Sequence, residues 1–406
     1  MNVHDTIQHS AEQSVQFALH CLTPCDGHLR ATSTFVNPEG EPQMWHDFGP
    51  LEGPGWASNS LGGASVLLRY GKAFGREDGI RAGNALIEHT LAHFVDVHGR
   101  LQWLYRDVRD GVFYLNFKHN RDWFCPGSLA RVVLQMLECA ERTDVPTLRK
   151  QLHASAYTTA RWLTVITPVL ANGWFPRRIT PQGEPYPHAA EGGKDPIFDI
   201  SGDGMHLLWM WTELTRQGLD DYRPQLQRGV SAFLKAGGFY GSVNHDTYDK
   251  QENVAYAIAF RTFVRAGDLL QEPLLKDFAL QKILPGLERF VMHEDRNGVA
   301  TKGLLYMEDS WDTAYLWENA EVSIAYLEAY RLTHKPQYGQ RAVDILLGIA
   351  KHHYGDHGFL TEGVDWNNHV GRQHHIGGAE YGAIAYTEPL LNNLYHVEAY
   401  CLWCGV

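Results

Sequence analysis

The chain has 406 residues, with 47 acidic side chains against 35 basic ones and a formal charge of −12. Such a balance offers no basic face to nucleic-acid phosphates. At 44% hydrophobic and 20% charged residues the composition is globular, with ample material for a large core. There is no run of eighteen apolar residues, and the opening MNVHDTIQHSAEQ lacks a charged segment followed by an apolar one. Neither a membrane span nor a signal peptide is therefore expected, which points to a cytoplasmic location.

One pattern returns six times along the chain: an apolar helix, a more polar helix, then a long loop. A first polar helix is predicted over Asp5–Leu22. The pairs that follow are Trp56–Phe74 with Glu77–Val95, Pro126–Thr143 with Pro146–Ile166, and Ser201–Arg216 with Asp220–Leu234. Then come Asn253–Ala266 with Pro273–Met292, Glu318–Thr333 with Pro336–His353, and a last apolar run, Thr387–Trp403. The first member of each pair is hydrophobic nearly all round, as a helix packed on both faces must be. Second members open on an acidic residue or a proline, which suits the positive end of the helix dipole and the first helical turn. The unpaired first helix completes the count by pairing with the last apolar run. The prediction is an all-α, (α/α)6 toroid spanning residues 1–406 as a single domain, since repeats of this kind bury one continuous core. No linker or low-complexity stretch suggests a cut.

Six cysteines are too scattered for a disulfide scaffold. Cys401 and Cys404 form a C-x-x-C pair at the end of an apolar helix, and Cys21 and Cys25 lie near the N-terminus. Two sulfur ligands do not make a structural zinc site, so these are read as buried or incidental and no metal or other cofactor is expected.

The loops that enter the apolar helices are long, whereas a usual helix connection takes about 2 to 8 residues, and the ring gathers them at one end. They hold His46 and Trp56 in the first; Asp122 and Trp123 in the second; Arg177, Arg178, His188, Asp199 and Asp203 in the third. His245 follows in the fourth, Glu308, Asp309, Trp311 and Asp312 in the fifth, and Arg372, His374 and His375 in the sixth. Flat aromatic rings stack on the apolar faces of sugars, and carboxylates, imidazoles and guanidinium groups satisfy hydroxyls and acidic substituents. The set reads as a carbohydrate cleft. Acid–base chemistry needs two carboxylates facing one space. Asp122 precedes the second apolar helix and Asp199 the third, with Asp203 one turn on, although each of these is also a candidate helix N-cap. The fifth loop offers a rival cluster in Glu308, Asp309, Asp312, Glu318 and Glu321, whose spacing does not decide its role. The histidines of the sixth loop lack metal-ligand spacing.

With these residues in view the chain resembles the six-hairpin glycosidases, and residues 116–265 resemble the unsaturated uronyl hydrolases. HNRDWF with the helix PGSLARVVLQMLECAERTD, the segment NGWFPR, and IFDISGDGMHLLWMWTELT carry the resemblance. It implies Asp199 as proton donor assisted by Asp122, with Arg177, Arg178 or Arg372 pairing a substrate carboxylate and tryptophans stacking on the sugar. LWENAEVSIAYLEAYRLTHKPQY is similar to the N-acylglucosamine 2-epimerase group, but the Y-H-x-x-R motif of that group is NLYHVEAY here, without the Arg. The expectation is a glycoside hydrolase acting on an acidic, uronic-acid-containing oligosaccharide. The alternatives are a sugar epimerase or isomerase, with His245, His374 or His396 moving a proton beside a carbonyl, and a polysaccharide lyase. The oligomeric state and the identity of the sugar are not legible.

Overall fold

A computed structural model describes residues 2–31, 33–44, 50–186, 201–241, 243, 249–369 and 374–406. Twelve α-helices run through them in chain order: α1 Val3–His20, α2 Ser60–Phe74, α3 Glu77–Phe94, α4 Pro126–Arg142, α5 Pro146–Ile166 and α6 Met205–Arg216. Then come α7 Arg223–Ala236, α8 Asn253–Leu270, α9 Pro273–Phe278, α10 Leu316–Thr333, α11 Pro336–Ile349 and α12 Asn392–Cys404. The even-numbered helices form an inner ring, each packed on the next, with α12 returning to α2. Outside it, α3, α5, α7, α9 and α11 cover their preceding partners, and α1 covers α12. This is the predicted (α/α)6 toroid, closed by the N-terminal helix as the repeat count required.

Burial explains why the inner runs are apolar on every face. All residues from Leu316 to Leu327 in α10 are buried, as are Asn253 to Phe260 in α8, because each inner helix meets two ring neighbours, an outer helix and the ring centre. The closing contact is partly polar: Ser10 Oγ of α1 lies 3.1 Å from His396 Nε2 of α12 and 2.7 Å from His353 Nε2. Burial pushes the imidazoles of His396 and His353 down to about 3 and about 4, so both are neutral hydrogen-bonding groups of the core. His396 therefore serves the wall between α1 and α12, and the proton-shuttling role expected of it has no geometric support.

Several expected helix bounds need correction, among them the starts of α2, at Ser60 rather than Trp56, and of α12, at Asn392 rather than Thr387. The fifth outer element does not run as one α-helix from Pro273 to Met292. It ends at Phe278, passes through a π turn over Ala279–Ile283 and continues as a 3-10 helix over Leu284–Phe290. Pro285 is the cause, since its ring collides with the preceding turn and it has no N–H to donate. The third inner helix starts at Met205 rather than Ser201, behind a single 3-10 turn over Gly202–Gly204.

The long loops are tied to one another by strands of two to four residues. β1 Leu22–Cys25 and β2 His28–Ala31 form a hairpin, while β3 Leu51–Glu52, β4 Tyr105–Asp107 and β5 Phe113–Tyr114 make a three-stranded patch. Those last three join the first and second loops at the ring mouth. No described helix is long and apolar enough to cross a membrane.

Candidate active site

A cavity occupies the ring centre, and all six inner helices contribute to its wall. Its aromatic wall includes Trp56, from the loop ahead of α2, and Trp317, in the first turn of α10. The two indoles meet edge to face, with centroids 5.3 Å apart. Beside them a smaller hollow shares Trp56 and Val243 and is lined by Tyr105, Phe117 and Trp123.

Three of the polar groups facing the cavity come from one side of α4. Arg131, Gln135 and Glu138 follow at the helical repeat and all three line the cavity. Gly62 of α2 allows α4 this close, because a Cβ there would stand 2.5 Å from both Asn59 Oδ1 and Gln135 Nε2. Asn59 sits at φ 49, ψ 36, a left-handed conformation that Asn tolerates better than most residues. It accepts from Gln135 Nε2 at 2.7 Å and donates to the Leu390 carbonyl at 2.7 Å. Arg131 donates through Nη2 to the Tyr395 hydroxyl at 2.8 Å and to Asn59 Oδ1 at 3.4 Å.

His206, in the first turn of α6, also lines the cavity. Its Nδ1 lies 3.4 Å from Asp203 Oδ1, one turn earlier, so the carboxylate holds the ring and leaves Nε2 for the cavity. The turn that carries Asp203 packs on the start of α4. A Cβ on Gly127 would come within 2.5 Å of Asp203 Oδ2, and only glycine admits that approach.

Deeper in, the same wall becomes a network of ion pairs. Glu398 is held by Arg69 and by Arg142, the latter at 2.7 Å. Arg261 pairs with Glu321 and, at 3.0 Å, with Glu328, which Arg265 also binds at 2.7 Å. Burial alone would raise the Glu328 carboxyl, but the Arg265 and Arg261 guanidinium groups outweigh it and hold it down to about 2. Glu138 goes the other way: burial raises its carboxyl, against the pull of Arg142. Arg261 and Arg265 each lie 4.5 Å from the Trp209 ring centre, so that indole belongs to the network and not to an open stacking platform.

Among the expected site residues, Trp56 lines the cavity and Trp123 the adjoining hollow. Asp203 is buried behind His206. Asp122 is exposed and is not among the residues lining the cavity; its backbone N–H donates to Asn120 Oδ1, closing a local turn. Arg177 and Arg178 are buried beside the cavity without lining it: Arg178 lies 4.0 Å over the Trp123 ring, and both guanidinium groups act on the buried Cys125 thiol. Trp311 donates to the Tyr315 hydroxyl at 2.7 Å, and Asp312 accepts from Asn367 Nδ2 at 2.6 Å, which ties the fifth loop to the sixth. His374 is exposed, whereas His375 is buried with its Nε2 3.1 Å from Asp365 Oδ2. In the rival cluster, Glu308 accepts from the Asp249 backbone N–H at 2.7 Å and Asp309 pairs with Arg289 at 2.6 Å. His46, His188, Asp199, His245 and Arg372 lie outside the described residues. Arg131, Gln135, Tyr395 and His206 were not anticipated. Their signal was present as a polar side chain recurring on one face of a helix otherwise apolar all round.

No family model and no curated protein matches the chain. Solved structures do. A cellobiose 2-epimerase from Bacillus thermoamylovorans superposes with a TM-score of 0.67 at 12% identity, over 99% of this chain and 98% of that one. A D-mannose isomerase gives 0.60 at 11% identity over 98% and 97%. An unsaturated glucuronyl hydrolase specific for heparin gives 0.56 at 10% identity over 99% and 97%. This chain shares the (α/α)6 fold of these enzymes. Each likeness extends end to end, so the whole ring, N-terminal helix included, is common to them.

Proposed function

We propose that this protein is a carbohydrate-active enzyme that interconverts free sugars, an aldose–ketose isomerase or 2-epimerase working by proton transfer beside a carbonyl. The observation that carries the reading is the His206–Asp203 pair opening into a cavity walled by Trp56 and Trp317. Asp203 against Nδ1 favours the tautomer with its proton on that nitrogen, which makes Nε2 the base. With the ring-opened sugar lying against the indoles and its carbonyl at C1, Nε2 takes the proton from C2. The C2–H electrons form a C1–C2 double bond and the carbonyl electrons move to O1, giving an enediolate. Return of the proton to C1, with the O2 proton passing to O1, yields the ketose. Return to the other face of C2 yields the epimer. One imidazole suffices for the first outcome; the second needs a further acid on the opposite face, for which His245 is the sequence candidate.

Glycoside hydrolysis of an acidic oligosaccharide is the second reading, favoured by the Asp203 carboxylate buried where α4 and α6 begin. It needs a partner carboxylate, and Asp199 is the candidate. Incubation with free aldoses and, separately, with uronide oligosaccharides distinguishes the two by chromatography. Interconversion of the free sugars supports the isomerase. Release of new reducing ends, with the free sugars unchanged, overturns it in favour of the hydrolase.

A further inference from the structure

The charge on the cavity wall does not balance. Arg131 is only 7% exposed, and both acceptors it meets, the Tyr395 hydroxyl and Asn59 Oδ1, are neutral. Among the described residues its Nε and Nη1 meet no acceptor, and no carboxylate pairs with it. The three carboxylates that line the same cavity are committed elsewhere. Glu398 is held by Arg69 and Arg142, and Glu321 by Arg261. Glu138 accepts from Ser65 Oγ at 3.4 Å and is pushed by burial toward its neutral form. A buried guanidinium without an anion is costly, and this one borders the space that the substrate enters.

We propose that Arg131 recognises a carboxylate carried by the sugar, so that the preferred substrate is a sugar acid and not its neutral counterpart. The inference rests on the sugar-processing reading given above. One uncompensated cation matches a monoanion. A phosphate dianion would bring a second charge close to Glu321 and Glu398, and among the described residues lining the cavity the other guanidinium, Arg261, is already paired. Arg131 thereby takes the part expected of Arg177, Arg178 and Arg372, of which the first two do not reach the cavity wall.

The test is a set of binding titrations followed by tryptophan fluorescence, which Trp56 and Trp317 report. Matched pairs are compared: glucose with glucuronate, galactose with galacturonate, mannose with mannuronate, and glucose 6-phosphate as the phosphate arm. The wild-type protein should prefer the acid of at least one pair by roughly 10- to 100-fold, as a charge-assisted hydrogen bond implies. Arg131→Met should bring that ratio to about one, and Arg131→Lys should keep part of it. Parity in the wild type, or a preference that survives Arg131→Met, overturns the proposal, as does tighter binding of the phosphate. If Arg131→Met does not fold, the wild-type ratio and Arg131→Lys decide. Interconversion of neutral sugars without preference for any acid overturns the carboxylate inference alone. Failure of every sugar to bind overturns it together with the sugar-processing reading.

Discussion

The inner and outer parts of the central cavity use the same residue types to opposite ends. At the inner part, Glu398 sits between Arg69 and Arg142, and Glu328 between Arg261 and Arg265, so each charge finds its partner within the protein. Toward the loops, Arg131 meets only neutral oxygens and His206 turns one nitrogen to Asp203 and the other to the cavity. A buried charge that is already satisfied fixes the ring; one left unsatisfied is available to a ligand. This separates structural from chemical groups more sharply than residue type or exposure does.

Exchanging single residues across that boundary should break the comparison in a graded way. The largest effect is expected of His206→Asn, which keeps the size of the side chain but removes the base: turnover should fall by about 10² to 10⁴ with an unchanged circular-dichroism spectrum and melting temperature. Next, Glu328→Gln should remove the nearest anion of Arg265 and one of the two that hold Arg261, and cost about 3 kcal/mol of stability, measured by denaturant unfolding. The same residue sets a pH dependence. Its carboxyl is held at about 2 against an ordinary 4.5, so its contribution is complete above pH 4.5 and is lost as pH falls from there toward 2. In Glu328→Gln the unfolding free energy should be flatter across that window than in the wild type. Trp56→Ala should weaken sugar binding by about 1 to 2 kcal/mol, roughly five- to thirtyfold, without moving the melting temperature as Glu328→Gln does. The smallest effect is expected of Asp122→Asn: an exposed carboxylate outside the cavity wall should leave turnover within about twofold of wild type, surface changes of this kind being nearly neutral.

The ring was legible because helices packed on both faces must be apolar all round, and six such runs, from the one ending at Phe74 to the one ending near Cys404, stand out against their amphipathic partners. The strands were not, since a two-residue pairing such as Leu51–Glu52 with Arg106–Asp107 is fixed by loops meeting in space and leaves no periodicity of its own. Pro285 was visible, yet the helix was expected to run through it. At the site, Trp56 was legible from its place in a loop entering an inner helix. Asp122 stood in an equivalent place, but it belongs to an exposed turn closed by Asn120 and is not among the residues lining the cavity, which no spacing rule reveals. Arg131 and His206 were hidden within runs counted as core. A helix buried on nearly every side carries Arg131, Gln135, Glu138 and Arg142 at intervals of four, three and four. Such a stripe can be solvated only by the ring's own centre, and it marks the cavity face before any coordinates are known.

The most direct test of the account is solvent exchange. Free aldoses, neutral and acidic, are incubated in deuterium oxide with wild-type protein and with His206→Asn, and C2 is followed by nuclear magnetic resonance. The account predicts interconversion or deuterium entering at C2 with the wild type, and neither above background with the variant. Release of reducing ends from oligosaccharides with no exchange at C2, or full exchange in His206→Asn, would contradict it.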